Sequence, residues 1–238
     1  MSLYAISDLH LSLGTDKPMD VFGGKWENYT EKLRESWQAT VNDNDVVLIP
    51  GDISWAMYIE ECYNDFSFIE SLNGQKLILK GNHDYWWTTM KKLNGYVKAN
   101  GFTTMRFIHN TAEEYDSAEG LPGAAICGTR GWNLPSGKFT DEDMKIFDRE
   151  KIRLILSLES AMKLKKEHII VCMHYPPADN SSPNTDFLDI MKNYGVKTCI
   201  YGHLHHASHR RAVTGNVDGI ELVLASCDAV DFTPVKIL

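Results

Sequence analysis

The clearest structural signal in the chain is the stretch Lys76-Leu77-Ile78-Leu79-Lys80-Gly81-Asn82-His83-Asp84. The apolar run from Leu77 to Leu79 is typical of a short buried strand, and Gly81 ends it. An amide, an imidazole and a carboxylate follow directly, and all three are groups that bind metal ions or transfer protons. A strand that ends in this way delivers them to the carboxyl edge of a sheet, where open α/β folds place their ligands.

The same pattern of an apolar run followed by a polar ligand recurs four more times. The runs 3–6, 46–49, 169–173 and 198–201 are followed in turn by Asp8 and His10, by Asp52, by His174, and by His203 and His205. Five such strand ends indicate that the polar residues converge on one site. Because alternate residues of a strand share a face, we expect Asp8 to lie beside His10, and His203 beside His205.

Segments with helical spacing of apolar residues lie between these strands. We predict helices over 26–41, 60–72, 140–166 and 187–194, with Gly195 capping the last one. One strand and a turn are predicted for 102–115, and a short strand between two turns is predicted for 206–219. Further strands are predicted over 124–128, 220–225 and 233–238. For Trp55, Met57 and Tyr58 we expect core packing or a helix start in preference to the lining of a substrate mouth. For the aromatic residues 85–87 we expect packing under the next helix in preference to a wall for an aromatic or nucleobase group. With no repeat, low-complexity tract or linker, we interpret 1–238 as one α/β domain.

Composition limits the classes of function. The 238 residues are 43% hydrophobic and 24% charged, so a sizeable core is expected and wholesale disorder is not. The formal net charge is −8, which argues against a sequence-independent nucleic-acid binder, and no sequence-specific nucleic-acid binding is expected. A pair of bound divalent cations would nevertheless make the local field attractive to an anion.

The five cysteines contain no C-x-x-C pair and are expected to be reduced core thiols. Their odd number favours a reducing compartment. The first residues show neither a basic region nor a long apolar region, and no run approaches the roughly 18 apolar residues of a membrane span. We therefore expect a soluble, cytoplasmic protein without a membrane partner.

The candidate metal ligands are oxygen and imidazole groups with no thiolate. They are Asp8, His10, Asp52, Asn82, His174, His203 and His205. This set is too large for one tetrahedral zinc ion and suits two octahedral ions that share a carboxylate. Such ligands fit Mn, Fe or Zn, and the sequence does not choose among them.

These motifs, in this order, resemble those of the calcineurin-like metallophosphoesterase superfamily, and the resemblance covers most of the chain. It implies a four-layer α-β-β-α sandwich of two mixed β-sheets, with a dinuclear metal site at one sheet edge. It further implies that the first metal is held by Asp8, His10 and His205 and the second by Asn82, His174 and His203, with Asp52 bridging them. The length resembles the compact bacterial-type phosphohydrolases of that superfamily.

The resemblance implies hydrolysis of a phosphate ester, and we predict that a phosphodiester is favoured over a phosphomonoester. Two metal ions would activate a bridging hydroxide for direct attack on phosphorus. His83 would stabilise developing charge or protonate the leaving oxygen, and Asp84 would either orient its ring or only stabilise the turn. Arg130, at another strand end, is either a contact for a small-molecule phosphate substrate or a solvated side chain.

A second hypothesis is a non-catalytic interaction scaffold that keeps the fold and binds metal. The complete set of ligands and the presence of His83 favour the enzyme. Selectivity among phosphate esters is expected to lie in the loops 131–138 and 178–184.

Overall fold

The computed structural model describes residues 1–17, 19–117 and 123–238, and two mixed β-sheets form its centre. Within these residues the strands are β1 (Leu3–Ala5), β2 (Val46–Ile49), β3 (Gln75–Leu79), β4 (Met105–Ile108), β5 (Ala112–Tyr115), β6 (Ala124–Thr129), β7 (His168–Met173), β8 (Thr198–Tyr201), β9 (Gly215–Val217), β10 (Ile220–Leu224) and β11 (Val235–Lys236).

The first sheet has the strand order β11-β1-β2-β3-β4, and the second has the order β5-β6-β7-β8-β10-β9. Strands β1 to β4 run parallel, as do β6, β7, β8 and β10, whereas the edge strands β11, β5 and β9 pair antiparallel. The parallel strands are almost continuously apolar because both of their faces are buried.

Helices cover the outer face of each sheet. They are α1 (Tyr29–Thr40), α2 (Tyr63–Glu70), α3 (Met90–Ala99), α4 (Asp141–Lys163) and α5 (Asp186–Asn193), with short 3-10 helices at Met19–Phe22, Gly24–Trp26, Ile59–Cys62 and His206–Arg211. Helix α4 begins with a reciprocal cap, since the Thr140 hydroxyl accepts the Asp143 N–H at 3.1 Å and the Asp143 carboxylate accepts the Thr140 N–H at 3.0 Å.

Alternation along each strand assigns its side chains to different layers. Leu48 of β2 faces the second sheet, where it joins a buried cluster with Ile170 of β7. Its neighbours Val47 and Ile49 face the other way, into a cluster shared with α1, α2 and α3. A third cluster lies between the second sheet and α4 and α5. This arrangement confirms the predicted four-layer α-β-β-α sandwich.

Most element predictions hold to within a few residues, but one segment was assigned wrongly. Residues 102–115 form two strands, β4 and β5, which belong to different sheets. The terminal strand is shorter than predicted and is limited to Val235–Lys236. The cysteines are buried and free, as expected. Within the described residues, no helix combines the length and apolar character that a membrane crossing requires.

Candidate functional site

The predicted metal ligands meet where the parallel strands of both sheets end. Asp8, Asp52 and Asn82 follow β1, β2 and β3 of the first sheet, and the three histidines that follow β7 and β8 come from the second. Direct hydrogen bonds join the two sets, because the Asp8 carboxylate accepts the His203 N–H at 3.0 Å. The site is therefore built across the sandwich at its carboxyl edge.

The backbone of the ligand residues is not that of a strand. Asp8, His10, Asp52 and His203 have positive φ angles of 60°, 45°, 54° and 71°. The prediction that the paired ligands alternate along a strand is therefore wrong, since β1 ends at Ala5 and β8 at Tyr201. The left-handed conformation costs energy for residues other than glycine, and such strain concentrates at functional sites.

One group of ligand atoms is formed by Asp8, His10 and His205, whose ligand atoms all lie within 4.8 Å of one another. His205 Nε2 lies 3.3 Å from Asp8 Oδ1 and 3.2 Å from His10 Nε2. Two imidazole nitrogens that face each other so closely have room for a shared cation. This group is the one that the resemblance assigns to the first metal.

A second group surrounds the side-chain oxygen of Asn82. Asn82 Oδ1 lies 2.6 Å from His174 Nε2 and 2.9 Å from His203 Nδ1, and the two nitrogens are 3.2 Å apart. Asp52 Oδ2 lies 3.5 Å from His174 Nε2 and 3.7 Å from His10 Nε2. The Asp52 carboxylate therefore lies between the two groups.

Three of the candidate histidine ligands have protonation states that suit metal binding. Burial lowers the pKa of His10 and His174 to about 3 and that of His203 to about 4, so their imidazoles are neutral at neutral pH. Neutral imidazole is the form that coordinates a metal ion.

The buried carboxylates of the site also call for a cation. Burial, followed by repulsion from Asp84 and Asp8, raises the pKa of Asp52 well above its usual value. Burial also raises the pKa of Asp8, but the charges and hydrogen bond of the neighbouring histidines outweigh it and lower that pKa overall. Carboxylates crowded in this way are stabilised by bound cations, so the donor set fits metal ions.

Two of the histidines are oriented through their second ring nitrogen. His174 Nδ1 donates to the Pro50 carbonyl at 3.0 Å, and His205 Nδ1 lies 2.8 Å from Asp228 Oδ1. The Asp228 carboxylate also accepts the His206 N–H at 3.0 Å. Although burial lowers the pKa of His205, Asp8 and Asp228 raise it to about 10. Carboxylates behind metal-binding histidines are a recurring means of orienting the ring.

Asp228 was missed by the sequence interpretation. It follows the predicted strand 220–225 after two residues, Ser226 and Cys227, and so repeats the pattern that identified the other ligands. An apolar run followed by a carboxylate is therefore a sequence signal for Asp228 as well.

The glycines of two motifs make room for the carboxylates. A Cβ added at Gly81 would collide with the Asp52 carboxylate, and one added at Gly202 would collide with that of Asp8. Glycine at these positions therefore lets the strands of the two motifs approach the carboxylates that they surround.

His83 lies beside the ligand groups rather than within them. Its ring is half-buried and packs 4.5 Å from the Trp55 ring, and the Tyr85 hydroxyl lies 3.5 Å from His83 Nδ1. Its backbone N–H donates to Asp52 Oδ1 at 2.8 Å, which places the residue next to the proposed bridge. Burial lowers the pKa of His83.

The Asp84 carboxylate is directed away from His83. It accepts backbone N–H groups from Gly81 at 2.7 Å, Ile53 at 2.8 Å and Asp52 at 3.0 Å, and it is completely buried. These hydrogen bonds link Asp84 to the turns around the site, and an orienting role of Asp84 toward His83 stays a prediction.

Arg130 lies next to the ligand groups. Its backbone carbonyl accepts the His174 N–H at 3.1 Å, while its guanidinium lies 4.8 Å from the Trp132 ring and 3.6 Å from Glu150 Oε1. The side chain is 21% exposed. It is held in place by these contacts rather than freely solvated.

The aromatic residues near the motifs divide into two sets. The Trp55 ring stacks on His10 at 4.9 Å, and Trp86 is buried, as expected. Tyr58 is exposed but caps the start of the 3-10 helix Ile59–Cys62, in agreement with the expected helix start. Met57 and Tyr85 are about half exposed, so the expectation that they are packed is wrong for these two.

Comparison with known proteins agrees with this geometry. A family model described as "Calcineurin-like phosphoesterase" matches residues 1–207 of the chain. This chain belongs to the calcineurin-like phosphoesterase family. As a member of that family it is a metal-dependent phosphoesterase, in agreement with its candidate ligand groups.

Solved structures share the fold of this calcineurin-like phosphoesterase at low identity. Phosphopantetheinyl hydrolase from Mycobacterium tuberculosis aligns over 100% of this chain and 95% of its own, with 14% identity and a TM-score of 0.57. A protein of unknown function from Aquifex aeolicus aligns over 99% of this chain and 95% of its own, with 13% identity and a TM-score of 0.53. No curated protein matches the sequence.

Proposed function

We propose that this protein hydrolyses a phosphate ester at a dinuclear metal centre. The observation that supports this most strongly is the position of the Asp52 carboxylate. One of its oxygens lies 3.5 Å from His174 Nε2 and 3.7 Å from His10 Nε2, and these nitrogens belong to different ligand groups. A bridging carboxylate needs this placement.

The ligand assignment follows the two groups. Asp8, His10 and His205 would hold one ion, and Asn82, His174 and His203 would hold the other, with Asp52 shared between them. Oxygen and imidazole donors suit Mn, Fe or Zn. When bound, two such ions would act as Lewis acids and would lower the pKa of a water molecule, which supplies the nucleophile for an in-line displacement at phosphorus.

His83 is proposed as the residue that protonates the leaving oxygen or stabilises its charge. Its ring is half-buried at the edge of the ligand groups, with ring nitrogens outside both of them. A negatively charged substrate would favour the protonated imidazole and so offset the effect of burial on its pKa. The neighbouring Trp55 ring, 4.5 Å away, fixes the position of the His83 ring.

The non-catalytic scaffold is the competing hypothesis, and the geometry favours the enzyme. A scaffold has no need for a half-buried histidine beside a complete and convergent ligand set. The preference for a phosphodiester stays a prediction. The identity of the small molecule that carries the phosphate ester also stays open to the experiment below. The substrate contact of Arg130 is supported by its position next to His174.

Two broader predictions are also carried forward as proposals. We propose that residues 1–238 form one domain, because the cluster between the sheets contains residues from Leu3 to Ala225. We propose a cytoplasmic location, which the five buried, free cysteines support.

The test compares hydrolysis of bis-p-nitrophenyl phosphate and p-nitrophenyl phosphate by protein stripped with a chelator and reloaded with Mn, Fe or Zn. We expect metal-dependent turnover with a higher kcat/KM for the diester. His83→Ala should retain both metals and turn over at least about 100-fold more slowly. The matched control is His168→Ala, at the opposite end of β7 from His174, which should leave turnover unchanged.

Three results would each contradict one part of the proposal, namely the enzymatic activity, the role of His83 and the preference for a diester. Absence of turnover with every metal and both substrates would favour the scaffold. A normal rate for metal-loaded His83→Ala would remove the role given to that residue, and a preference for the monoester would make the protein a phosphatase.

A further inference from the structure

A cavity of about 220 Å³ opens at the same carboxyl edge as the ligand groups but contains none of the ligand residues. Its walls come from the ends of three strands and from helix α4. Lys80 follows β3, His109 follows β4, Arg130 follows β6, and Glu150 and Arg153 lie on α4. The cavity therefore lies between the two sheets, beside the strands that carry the metal ligands.

The cavity is positively charged in an acidic protein. Lys80, Arg130 and Arg153 contribute three positive charges, and Glu150 contributes the single carboxylate among the lining residues. With His109 neutral, the sum is 3 − 1 = +2, whereas the whole chain carries −8. Cations gathered in a concave, partly desolvated space repel one another, and a bound anion relieves that repulsion.

The single carboxylate among the lining residues, that of Glu150, already has hydrogen-bond and ion-pair partners in the protein. Glu150 is completely buried, accepts a hydrogen bond from the Thr129 hydroxyl, and lies 2.6 Å from Arg153 Nη1 and 3.6 Å from Arg130 Nη2. It therefore holds the two guanidinium groups at the wall and neutralises only part of their charge.

Donor groups remain available to a ligand. Among the described residues, Lys80 forms no ion pair, and Arg130 Nε is a buried donor without a hydrogen-bond partner. An ammonium and two guanidinium groups in the wall of one cavity match the several oxygens of a phosphate group, which guanidinium can bind through two parallel hydrogen bonds.

The cavity is also close to the metal centre. Lys80 precedes the ligand Asn82 by two residues, which limits the distance between their Cα atoms to about 7 Å. The carbonyl of Arg130 accepts the N–H of the ligand His174 at 3.1 Å. One small molecule can therefore present one group to the metal centre and another to the cavity.

We propose that the cavity formed by Lys80, Arg130 and Arg153 binds a phosphate group other than the one that is cleaved. This inference rests on the proposed function for its place beside the reaction, and it narrows the substrate to esters that carry a second phosphate. The same chemistry would also bind free inorganic phosphate, so the experiment has one arm for each source.

The first arm uses two chromogenic substrates that differ by one phosphate, p-nitrophenyl thymidine 5′-phosphate and its 3′-phosphorylated counterpart. We expect the metal-loaded enzyme to have at least a tenfold higher kcat/KM for the 3′-phosphorylated substrate. Lys80→Met and Arg153→Met should each reduce the ratio of the two kcat/KM values, 3′-phosphorylated over unphosphorylated substrate, at least tenfold. Lys80→Arg, which keeps the positive charge, should retain most of the wild-type ratio. The control is Lys91→Met, an exposed lysine on α3, which should leave the ratio unchanged.

The second arm measures binding of inorganic phosphate to the metal-loaded protein by isothermal titration calorimetry. The wild-type protein should bind two phosphates, one at the metal centre and one in the cavity. Lys80→Met and Arg153→Met should each bind one. Thermal unfolding of each variant establishes that it is folded. Lys80 is next to the Gly81 motif, whereas Arg153 lies on α4, so the two variants change the cavity from different elements of the fold.

The outcomes separate the two sources and the two proposals. A substrate preference that both variants lose assigns the cavity to a second phosphate of the substrate. Two bound phosphates, with one lost in the variants but no substrate preference, assign it to free phosphate. A single phosphate in the wild-type protein together with equal kcat/KM values would overturn the inference. If neither substrate is hydrolysed, the proposed function fails, and the phosphate stoichiometry alone decides whether the cavity binds phosphate.

Discussion

Asp228 offers the sharpest test of how the metal centre is held together. Its carboxylate is completely buried, and it lies 2.8 Å from His205 Nδ1 and 3.0 Å from the backbone nitrogen of His206. Asp228→Asn keeps the shape of the side chain but replaces one oxygen by an amide NH₂ group. One of the two N–H donors then faces another donor, and the negative charge behind the His205 ring is lost.

The magnitude follows from the role of such a residue. Removing a carboxylate that orients a metal-binding histidine typically weakens metal affinity 10- to 100-fold, which is about 1.4–2.8 kcal/mol. We expect the free Mn concentration for half-maximal activity to rise by that factor. Because the ligands themselves are intact, saturating Mn should restore most of the turnover.

The assay titrates Mn into chelator-stripped protein and follows both turnover and bound metal by inductively coupled plasma mass spectrometry. The matched control is Asp231→Asn, three residues further on, where the side chain is 81% exposed and pairs with Lys25 at 2.8 Å. An exposed pair contributes little, so this variant should titrate like the wild-type protein. An unchanged Mn midpoint for Asp228→Asn would refute the assignment of Asp228 as a positioning residue.

Three further predictions follow from the same contacts. Asp52→Asn should lose bound metal together with activity, and full metal occupancy, measured by the same mass spectrometry, would exclude Asp52 as the bridge. Gly81→Ala should lose activity that added Mn does not restore, because the new Cβ would collide with the Asp52 carboxylate. In the control Gly95→Ala on α3, the new Cβ has open space, and the free energy of unfolding in chemical denaturation should rise by about 0.5–1 kcal/mol. Burial lowers the pKa of Lys76 from 10.5 to about 8, so the unfolded chain binds more protons between these pH values and the free energy of unfolding should rise with pH. The gain relative to Lys76→Met is at most about 3 kcal/mol, and equal slopes of stability against pH for the two proteins would contradict it.

The fold and the ligand set were largely predictable from local patterns. Apolar runs such as Leu77 to Leu79 predict strands because each parallel strand is buried on both faces and leaves a continuous hydrophobic signal. The cap at Thr140 predicts the start of α4 because the bonding groups are three residues apart. The division of segment 102–115 into two strands could not be predicted in this way. Strands β4 and β5 are adjacent in sequence but belong to different sheets, and no local property of those residues distinguishes the two sheets.

In the candidate site, too, some features could be predicted from the local sequence and others depended on the tertiary structure. The candidate ligands, among them Asn82 and His174, could be predicted from the sequence because each comes shortly after a strand, and the order of strands and polar residues is a property of the chain. The role of Asp84 depended on the direction of its carboxylate, which the packing of Gly81 and Ile53 around it decides. The cavity residues Lys80, Arg130 and Arg153 come from separate segments, and only the folded chain brings them together.

The sequence alone determined which residue types follow each strand, and therefore the class of chemistry and the two-sheet architecture that supports it. Only the tertiary structure decided which candidate ligands lie together, which backbone N–H groups surround the Asp84 carboxylate and where the positive charges gather. The physical reason is range: strand and helix signals arise between residues a few positions apart, whereas hydrogen bonds and charge interactions at the site join residues as distant in sequence as Asp8 and His203.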